Sequence, residues 1–430
     1  MKIAIAGFGV EGQSNYRYWS ADPSNELIIV DEKEPDASIL LPDAAVLSGE
    51  GVFERLDGFD MVIRTAGLSP YKIKTNGKVW SATNEFFARC RAPIIGVTGS
   101  KGKGTTASLI ASILEKAGRK VWLVGNIGLP GLDVVAQIAP GDIVVYELSS
   151  FQLWDIERSP TVAVVLHIEQ EHLDVHPSME DYVSAKANIT KYQSVDDILV
   201  FNAKNEYARH IAEKSNATKF GYQDESSAHV RQDHFFYGNK ELCGMDALQL
   251  PGAHNLDNVC AAINSIWLFT QDASVIEAGL RAFKGLPHRL EKVATIDGVS
   301  YYDDSIATTP GSAIAALRAF EGHKILILGG SYKGSDFTGL AQEMLKNDVV
   351  ALLIGDEAKV IAEAFQGAGF DHFEILHDVT MTQIVERARE LARDGSTVLL
   401  SPSCASFGMF KNYQDRGDQF QTAVKSLTVS

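Results

Sequence analysis

The sequence predicts an α/β protein of three units, each a mostly parallel sheet wound on both faces by helices. Short apolar runs of strand length alternate with longer amphipathic segments along the whole chain, the βαβ rhythm of a covered parallel sheet. Two of those runs open directly into glycine-rich turns, Gly7-Phe-Gly-Val-Glu-Gly12 and Gly99-Ser-Lys-Gly-Lys-Gly104. Polar residues also collect just past the predicted strands, where open α/β sheets hold their ligands.

The first unit is expected over residues 1–92, with strands at Ile3–Ala6, Leu27–Val30, Ala45–Leu47 and Met61–Ile63. Its glycine turn and the acid Asp31, which ends the second strand, fit a Rossmann-like dinucleotide fingerprint: the glycines admit a pyrophosphate and the acid bonds a ribose or base. Nicotinamide dinucleotide binding, another nucleotide diphosphate and a plain tight turn all fit this stretch alone.

The second unit, 93–285, begins at the break Arg91-Ala-Pro93. A strand at Ile94–Thr98 runs into the turn Gly99–Gly104, then into a helix carrying Leu109, Ile110, Ile113 and Leu114. Glycines 99, 102 and 104 let backbone N–H groups converge on an anion, and the helix N-terminus adds its positive dipole end. Lys103 then reaches terminal phosphates, and Thr105 or Thr106 offers a hydroxyl to Mg²⁺. The spacing departs from the standard phosphate loop: Val97 stands five before Gly102, and Gly104 follows the lysine where Ser or Thr is usual. A turn that merely joins strand to helix is the plain alternative, but the lysine at the helix start favours phosphate binding. Further strands are expected at Val121–Val124, Ile143–Leu148, Val162–Leu166 and Ile198–Phe201. At their ends stand Asn126, Glu147, Glu169, Glu171 and His172. Lys186 lies on a helix of apolar spacing, and Asn255 and Asn258 share one face of another.

The third unit, 286–430, repeats the doubly wound pattern. Its strands are expected at Val299–Tyr302, Ile325–Leu328, Ala351–Ile354, Phe373–Leu376 and Thr397–Leu400. The strand ends carry Asp303-Asp-Ser305, Gly329-Gly-Ser-Tyr-Lys333 and Ser401-Pro-Ser-Cys-Ala-Ser406.

With 39 Lys and Arg against 55 Asp and Glu, the net charge of −16 argues against a general nucleic-acid or membrane-surface binder, which needs a broad basic face. Cys90, Cys243, Cys260 and Cys404 have no metal or redox spacing, so a reduced, cytoplasmic chain is expected. No apolar run approaches the length of a membrane span.

Together the motifs resemble the Mur ligase family. They run in order from GFGVEG through GVTGSKGKGTT, GNIGLP, ELSSFQL and EHLDVH to GAHNLDN, LPHRLE and DDSIAT, and close on LLSPSCASFGMFKNYQDRGDQF. ELSSFQL and the closing block point to the D-glutamate-adding member. The resemblance implies an N-terminal Rossmann-like domain, a central P-loop ATPase-like domain and a C-terminal Rossmann-like domain. It implies ATP-driven addition of D-glutamate to UDP-N-acetylmuramoyl-L-alanine through an acyl phosphate, in a monomer. Gly99, Ser100, Lys101, Gly102, Lys103, Gly104, Thr105, Thr106, Asn255, Asn258, Arg289 and Asp304 then form the ATP set. Gly9, Val10, Glu11, Gly12, Asp31, Asn126, Ser149, Gln152 and His172 match the UDP-sugar set, to which the nicotinamide reading of GFGVEG loses ground while it remains an alternative. Thr308, Lys333, Ser406, Phe407 and Tyr413 match the positions that hold the amino acid. Two Mg²⁺ ions are implied, one at Thr105 or Thr106 with Glu147 and one at His172, and Lys186 matches a lysine that is carbamylated in the family. Lys103, Glu147, His172 and Lys186 are thus the expected catalytic residues.

The chain departs from the family pattern at Gly104, at Ile306 where DDSIAT usually has a lysine, at Glu171 for aspartate and at His167 for asparagine. Those departures keep two alternatives open: a relative using L-glutamate or a folate acceptor, and a nucleotide-sugar-binding homologue with weakened catalysis.

Overall fold

The computed structural model describes residues 1–35, 40, 44–173, 175–250, 252–331, 335–406 and 408–427. The chain forms two compact units, Met1–Gln249 with Ala253–Phe283, and Leu250–Gly252 with Lys284–Ser430.

The first unit holds two parallel sheets. Strands β1 (Lys2–Ala6), β2 (Glu26–Asp31), β3 (Ala45–Ser48), β4 (Met61–Arg64) and β5 (Lys78–Ser81) line up as β3-β2-β1-β4-β5, every neighbour parallel. Period-two alternation decides the faces. Ala4, Ala6, Val30 and Val62 pack into one core cluster, and Ile3, Ile5, Ile29 and Ile63 into the other. Strand β5, Lys78-Val-Trp-Ser81, escapes a reading by apolar runs because it is a short edge with a polar residue at each end.

Strands β6 (Ile94–Thr98), β7 (Val121–Gly125), β8 (Ile143–Glu147), β9 (Val162–Val165), β10 (Ile198–Asn202) and β11 (Thr218–Tyr222) form the second sheet in the order β11-β10-β9-β6-β8-β7, again all parallel. The chain builds outward on one side of β6, then returns to build on the other. The carboxyl end of β6 is therefore the topological switch point, where such sheets leave a crevice. All of β6 is buried. Its helix begins at Lys103, so Lys103 and Gly104 belong to the first helical turn and the expected glycine turn is shorter by two residues.

An antiparallel meander follows that the apolar runs do not signal: β12 (Ala228–Arg231), β13 (His234–Tyr237) and β14 (Lys240–Gly244). Its first turn is Gln232-Asp233, both at positive φ (49° and 61°), the mirror-image turn that suits strand twist but is usually spelled with Asn or Gly.

The second unit carries β15 (Glu291–Ile296), β16 (Val299–Asp303), β17 (Lys324–Gly329), β18 (Val349–Ile354), β19 (Phe373–Ile375) and β20 (Thr397–Leu400), ordered β15-β16-β20-β17-β18-β19. All neighbours are parallel except β15 and β16, an antiparallel hairpin closed by Asp297-Gly298 at φ 49° and 77°. Alternation again sorts the faces: Leu326, Leu328, Ala351 and Leu353 enter one cluster, Ile325, Ile327, Leu352 and Ile354 the other. No helix among the described residues is long and apolar enough to cross a membrane.

Candidate active site

The turn after β6 is shaped by close approach. A side chain at Gly102 (φ +86°) would put its Cβ 2.3 Å from Asn258 Oδ1, and one at Gly99 (φ +154°) would meet Leu166 Cβ at 2.7 Å. Ser100 stitches the turn to the segment after β9. Its N–H donates to the His167 carbonyl (2.8 Å), its hydroxyl donates to the Glu169 carbonyl (2.9 Å), and the same oxygen accepts Glu169 N–H (3.0 Å). The Tyr182 hydroxyl lies 2.9 Å from the Ser100 hydroxyl. Lys101 points outward and pairs with Glu169.

Thr105 and Thr106 are both buried in the first turns of the helix Lys103–Lys116, alongside Gly104. Thr106 Oγ1 donates to Asn258 Oδ1 (3.3 Å), and Asn258 Nδ2 donates to Asn255 Oδ1 (2.9 Å). Neither asparagine caps its helix, His254–Ile266, whose N-cap is Ala253. The fold thus brings that pair to the glycine turn rather than to a helix end.

Lys186 is no surface lysine. It is 1% exposed on the helix Met179–Ala187, and its Nζ donates to the Gly99 carbonyl at 2.8 Å and sits 4.5 Å from the Tyr182 ring centre. Lys103 Nζ donates to the same carbonyl at 3.0 Å and to that of Ser100 at 2.8 Å. Two amines therefore converge on one oxygen. Burial first, and then the Lys103 charge, hold the Lys186 amine well below its ordinary range, although Glu171 and Glu147 pull the other way. Burial and a neighbouring positive charge both disfavour the protonated form of such an amine.

Glu147 ends β8 with only 3% exposure. His172 takes a left-handed backbone (φ 58°), with Nε2 3.8 Å from Glu171 Oε2 and its ring 5.0 Å from that of Phe151. Glu171 also accepts the Tyr182 hydroxyl (3.3 Å).

In the glycine turn of the first sheet, Gly12 is required because a Cβ there would lie 2.2 Å from the Gly7 carbonyl oxygen. Gly9 is exposed, and Val10 is 75% exposed at the start of the helix Val10–Ser20. Glu11 accepts the Ala66 N–H (2.8 Å); burial raises its carboxyl despite that bond. Asp31 accepts Phe8 N–H at 2.8 Å and Lys33 N–H at 3.1 Å, so part of its bonding capacity holds the turn itself. Asn126 is exposed just beyond β7. Ser149 and Gln152 form a reciprocal capping box on the helix Ser150–Leu153, a structural duty in addition to the expected one.

Arg64, at the end of β4, was not among the expected residues. It is fully buried and all five of its N–H groups are used: Nε and one NH2 hydrogen on Asp155 (2.7 and 2.7 Å), the others on the carbonyls of Phe151 (2.8 Å), Leu68 (2.9 Å) and Thr65 (3.2 Å). Its place as the one charged residue of β4 was the only sequence signal for it, and the carboxylate it pairs with lies 91 residues away.

In the second unit, Asp304 lies at the end of β16, accepting Ser401 Oγ–H (2.7 Å) and Leu290 N–H (3.2 Å). Burial pushes its carboxyl up to about 7 against the opposing pull of those bonds and of Arg289, which is exposed. Thr308 is half-buried and Ser406 buried. Tyr413 is half-buried, its ring 6.1 Å from His288 and its carbonyl accepting Ser305 Oγ–H (2.8 Å). Lys333 and Phe407 lie outside the described residues. Also unforeseen were His288, whose Nδ1 is 2.7 Å from Asp303 Oδ2, and fully buried Arg416, which donates to Ser305 Oγ (2.9 Å), the Ser305 carbonyl (2.7 Å) and the Cys404 carbonyl (3.1 Å).

Comparison with known proteins supplies the context. Residues 97–266 match the family model described as the Mur ligase middle domain, and 288–404 that of the Mur ligase, glutamate ligase domain. A UDP-N-acetylmuramoylalanine–D-glutamate ligase of Clostridium novyi is 39% identical, covering 88% of this chain and 85% of its own. The protein of the same name from Symbiobacterium thermophilum is 36% identical over 99% of this chain and 98% of its own. Among solved structures, the UDP-N-acetylmuramate–alanine ligase of Thermotoga maritima superposes with TM-score 0.62 at 19% identity, covering 99% of this chain and 100% of that one. A folylpolyglutamate synthase of Mycobacterium tuberculosis, complexed with ADP and AMPPCP, gives 0.58 at 15%, over 80% and 93%.

Proposed function

The chain belongs to the Mur ligase family, and from that membership we propose that it joins D-glutamate to UDP-N-acetylmuramoyl-L-alanine at the expense of ATP, working as a cytoplasmic monomer in peptidoglycan precursor synthesis. The observation that supports the chemistry is the convergence of Lys103 and Lys186 on the Gly99 carbonyl. We assign UDP-sugar binding to residues 1–92, ATP binding to 93–285 and amino-acid binding to 286–430.

In this reading the alanine carboxylate attacks the γ-phosphorus of ATP, the bond to the bridging oxygen breaks, and ADP leaves with that electron pair. The amine of D-glutamate then attacks the acyl carbon, phosphate departs, and the amine gives up a proton. Both steps bring anions together, so local cations must offset their repulsion. Lys103 swings from the Gly99 and Ser100 carbonyls to the phosphates, while the turn's N–H groups hold them.

The carboxylate and hydroxyl are oxygen donors, which suit a hard divalent ion. Thr106 Oγ1 gives its proton to Asn258 Oδ1 and keeps its lone pairs, so Thr105 or Thr106 with Glu147 would hold one Mg²⁺, and His172 a second. Bound there, the metal supplies charge neutralisation at the transferring phosphoryl group. In its unprotonated form the Lys186 amine adds to carbon dioxide and loses one proton to give a carbamate; the product is an anionic oxygen donor beside the Lys103 ammonium.

Phosphate release should need ATP, the UDP-sugar and D-glutamate together. Lys103→Ala should lower it by a factor of about 10³ or more. Ligation at the original rate in that variant, or equal turnover with L-glutamate, would overturn the assignment.

A further inference from the structure

One buried histidine belongs to none of the sets above. His176 is 1% exposed and lies between two segments of the site. On one side its Nε2 is 3.0 Å from Ser150 Oγ, in the first turn of the helix Ser150–Leu153. On the other, its backbone N–H donates to the His172 carbonyl (2.9 Å), closing the turn that holds His172 at positive φ. Its ring stacks on Phe151 (5.3 Å, 13° between planes), and Phe151 in turn faces His172.

Behind the ring sits Asp181, with Oδ2 2.6 Å from His176 Nδ1 and 3.2 Å from Trp154 Nε1, and Oδ1 bonded by the Tyr71 hydroxyl. Burial opposes ionisation of Asp181, but bonds from Tyr71, His176 and Trp154 outweigh it and hold the carboxyl below its usual range. An ionised carboxylate only accepts, so the His176 Nδ1 that faces Asp181 carries a proton, and Nε2 makes its hydrogen bond with the Ser150 hydroxyl.

We propose that His176 is a positioning residue of the nucleotide-sugar site, locking the Ser149–Gln152 turn and His172 into one arrangement through Ser150 and Phe151. The proposal rests on the assignment of Ser149, Gln152 and His172 to that site. A histidine that is merely satisfied in a core would fix the fold and nothing more. This one bridges two segments that are separate in sequence, and both carry expected substrate contacts.

Two variants separate those roles. His176→Asn keeps a donor near the Nδ1 position for Asp181 but offers no second ring nitrogen to the Ser150 hydroxyl; Ser150→Ala removes the other end. In steady-state assays each should raise KM for UDP-N-acetylmuramoyl-L-alanine about tenfold, as loss of an outer-shell partner does, with KM for ATP changed by less than about twofold. The double variant should be no worse than the weaker single one, because both cut the same link. Proton NMR should show a low-field imidazole N–H that survives Ser150→Ala and disappears in His176→Asn. Unchanged KM, a parallel rise in both KM values that tracks a lowered melting temperature, additive single effects, or absence of that resonance in the wild type would each overturn the proposal. Gln152→Ala is the control for the site: if it too leaves the UDP-sugar KM unchanged, the site assignment has failed and the proposal falls with it. If Gln152→Ala raises that KM while the His176 and Ser150 variants do not, only the positioning role is wrong.

Discussion

Lys186 has its charge state set by its neighbours. Burial, and then the Lys103 charge, hold its amine below the ordinary range, so between that lowered range and about pH 10.5 the unfolded chain binds a proton that the folded chain refuses. Stability from this group therefore grows as pH rises toward 10.5 and shrinks as pH falls. Lys186→Met should raise the melting temperature at pH 7 and flatten its pH dependence, while phosphate release falls by about 10² or more. Asp304 has the opposite sign. Its folded carboxyl titrates at about 7 against a usual 3.8, so between those values the folded chain holds the extra proton and stability falls as pH rises. Asp304→Asn should abolish that decline, measured as melting temperature from pH 4 to 8. Such facts were only half legible in the sequence. The motif named Lys186, but nothing in one dimension says that its amine and that of Lys103 share an oxygen.

At the scale of elements, the buried strands were readable and the edges were not. Strands β6, β8 and β9 are buried throughout because both faces are covered, and they read as apolar runs up to Thr98 and Glu147 at the ends of β6 and β8. Edge strand β3 is exposed along its length and β15 has no fully buried residue, so both carry little apolar signal, although β3's Ala-Val-Leu run was enough to find it. The β15–β16 hairpin did announce itself through Asp297-Gly298, the strongest short-range hairpin signal, which a search for βαβ units passes over. Arg64 and Asp155 stayed invisible for another reason: they stand 91 residues apart and meet only when the first sheet packs on the helix after β8. A buried guanidinium deprived of its carboxylate is expensive. Asp155→Leu should cost about 3–5 kcal/mol in urea unfolding, and adding Arg64→Leu should restore part of that loss, since the orphaned charge leaves with it.

Across the whole molecule, a net charge of −16 coexists with a proposed function whose substrates are all anions. Local cations on short arcs of backbone resolve the conflict, and the overall charge instead serves solubility. The division into two units carries its own expectation. The second unit buries two apolar clusters made only of its own residues, so a fragment from Lys284 onward should fold by itself, seen as a cooperative thermal transition by circular dichroism. The first sheet enjoys no such independence. Its Arg64 keeps all five N–H groups satisfied only while Asp155 and Phe151, beyond β8, stand opposite. A chimaera that grafted another ligase's opening sheet onto this body would therefore inherit a mismatched joint, and a donor lacking that arginine would strand the recipient's aspartate instead.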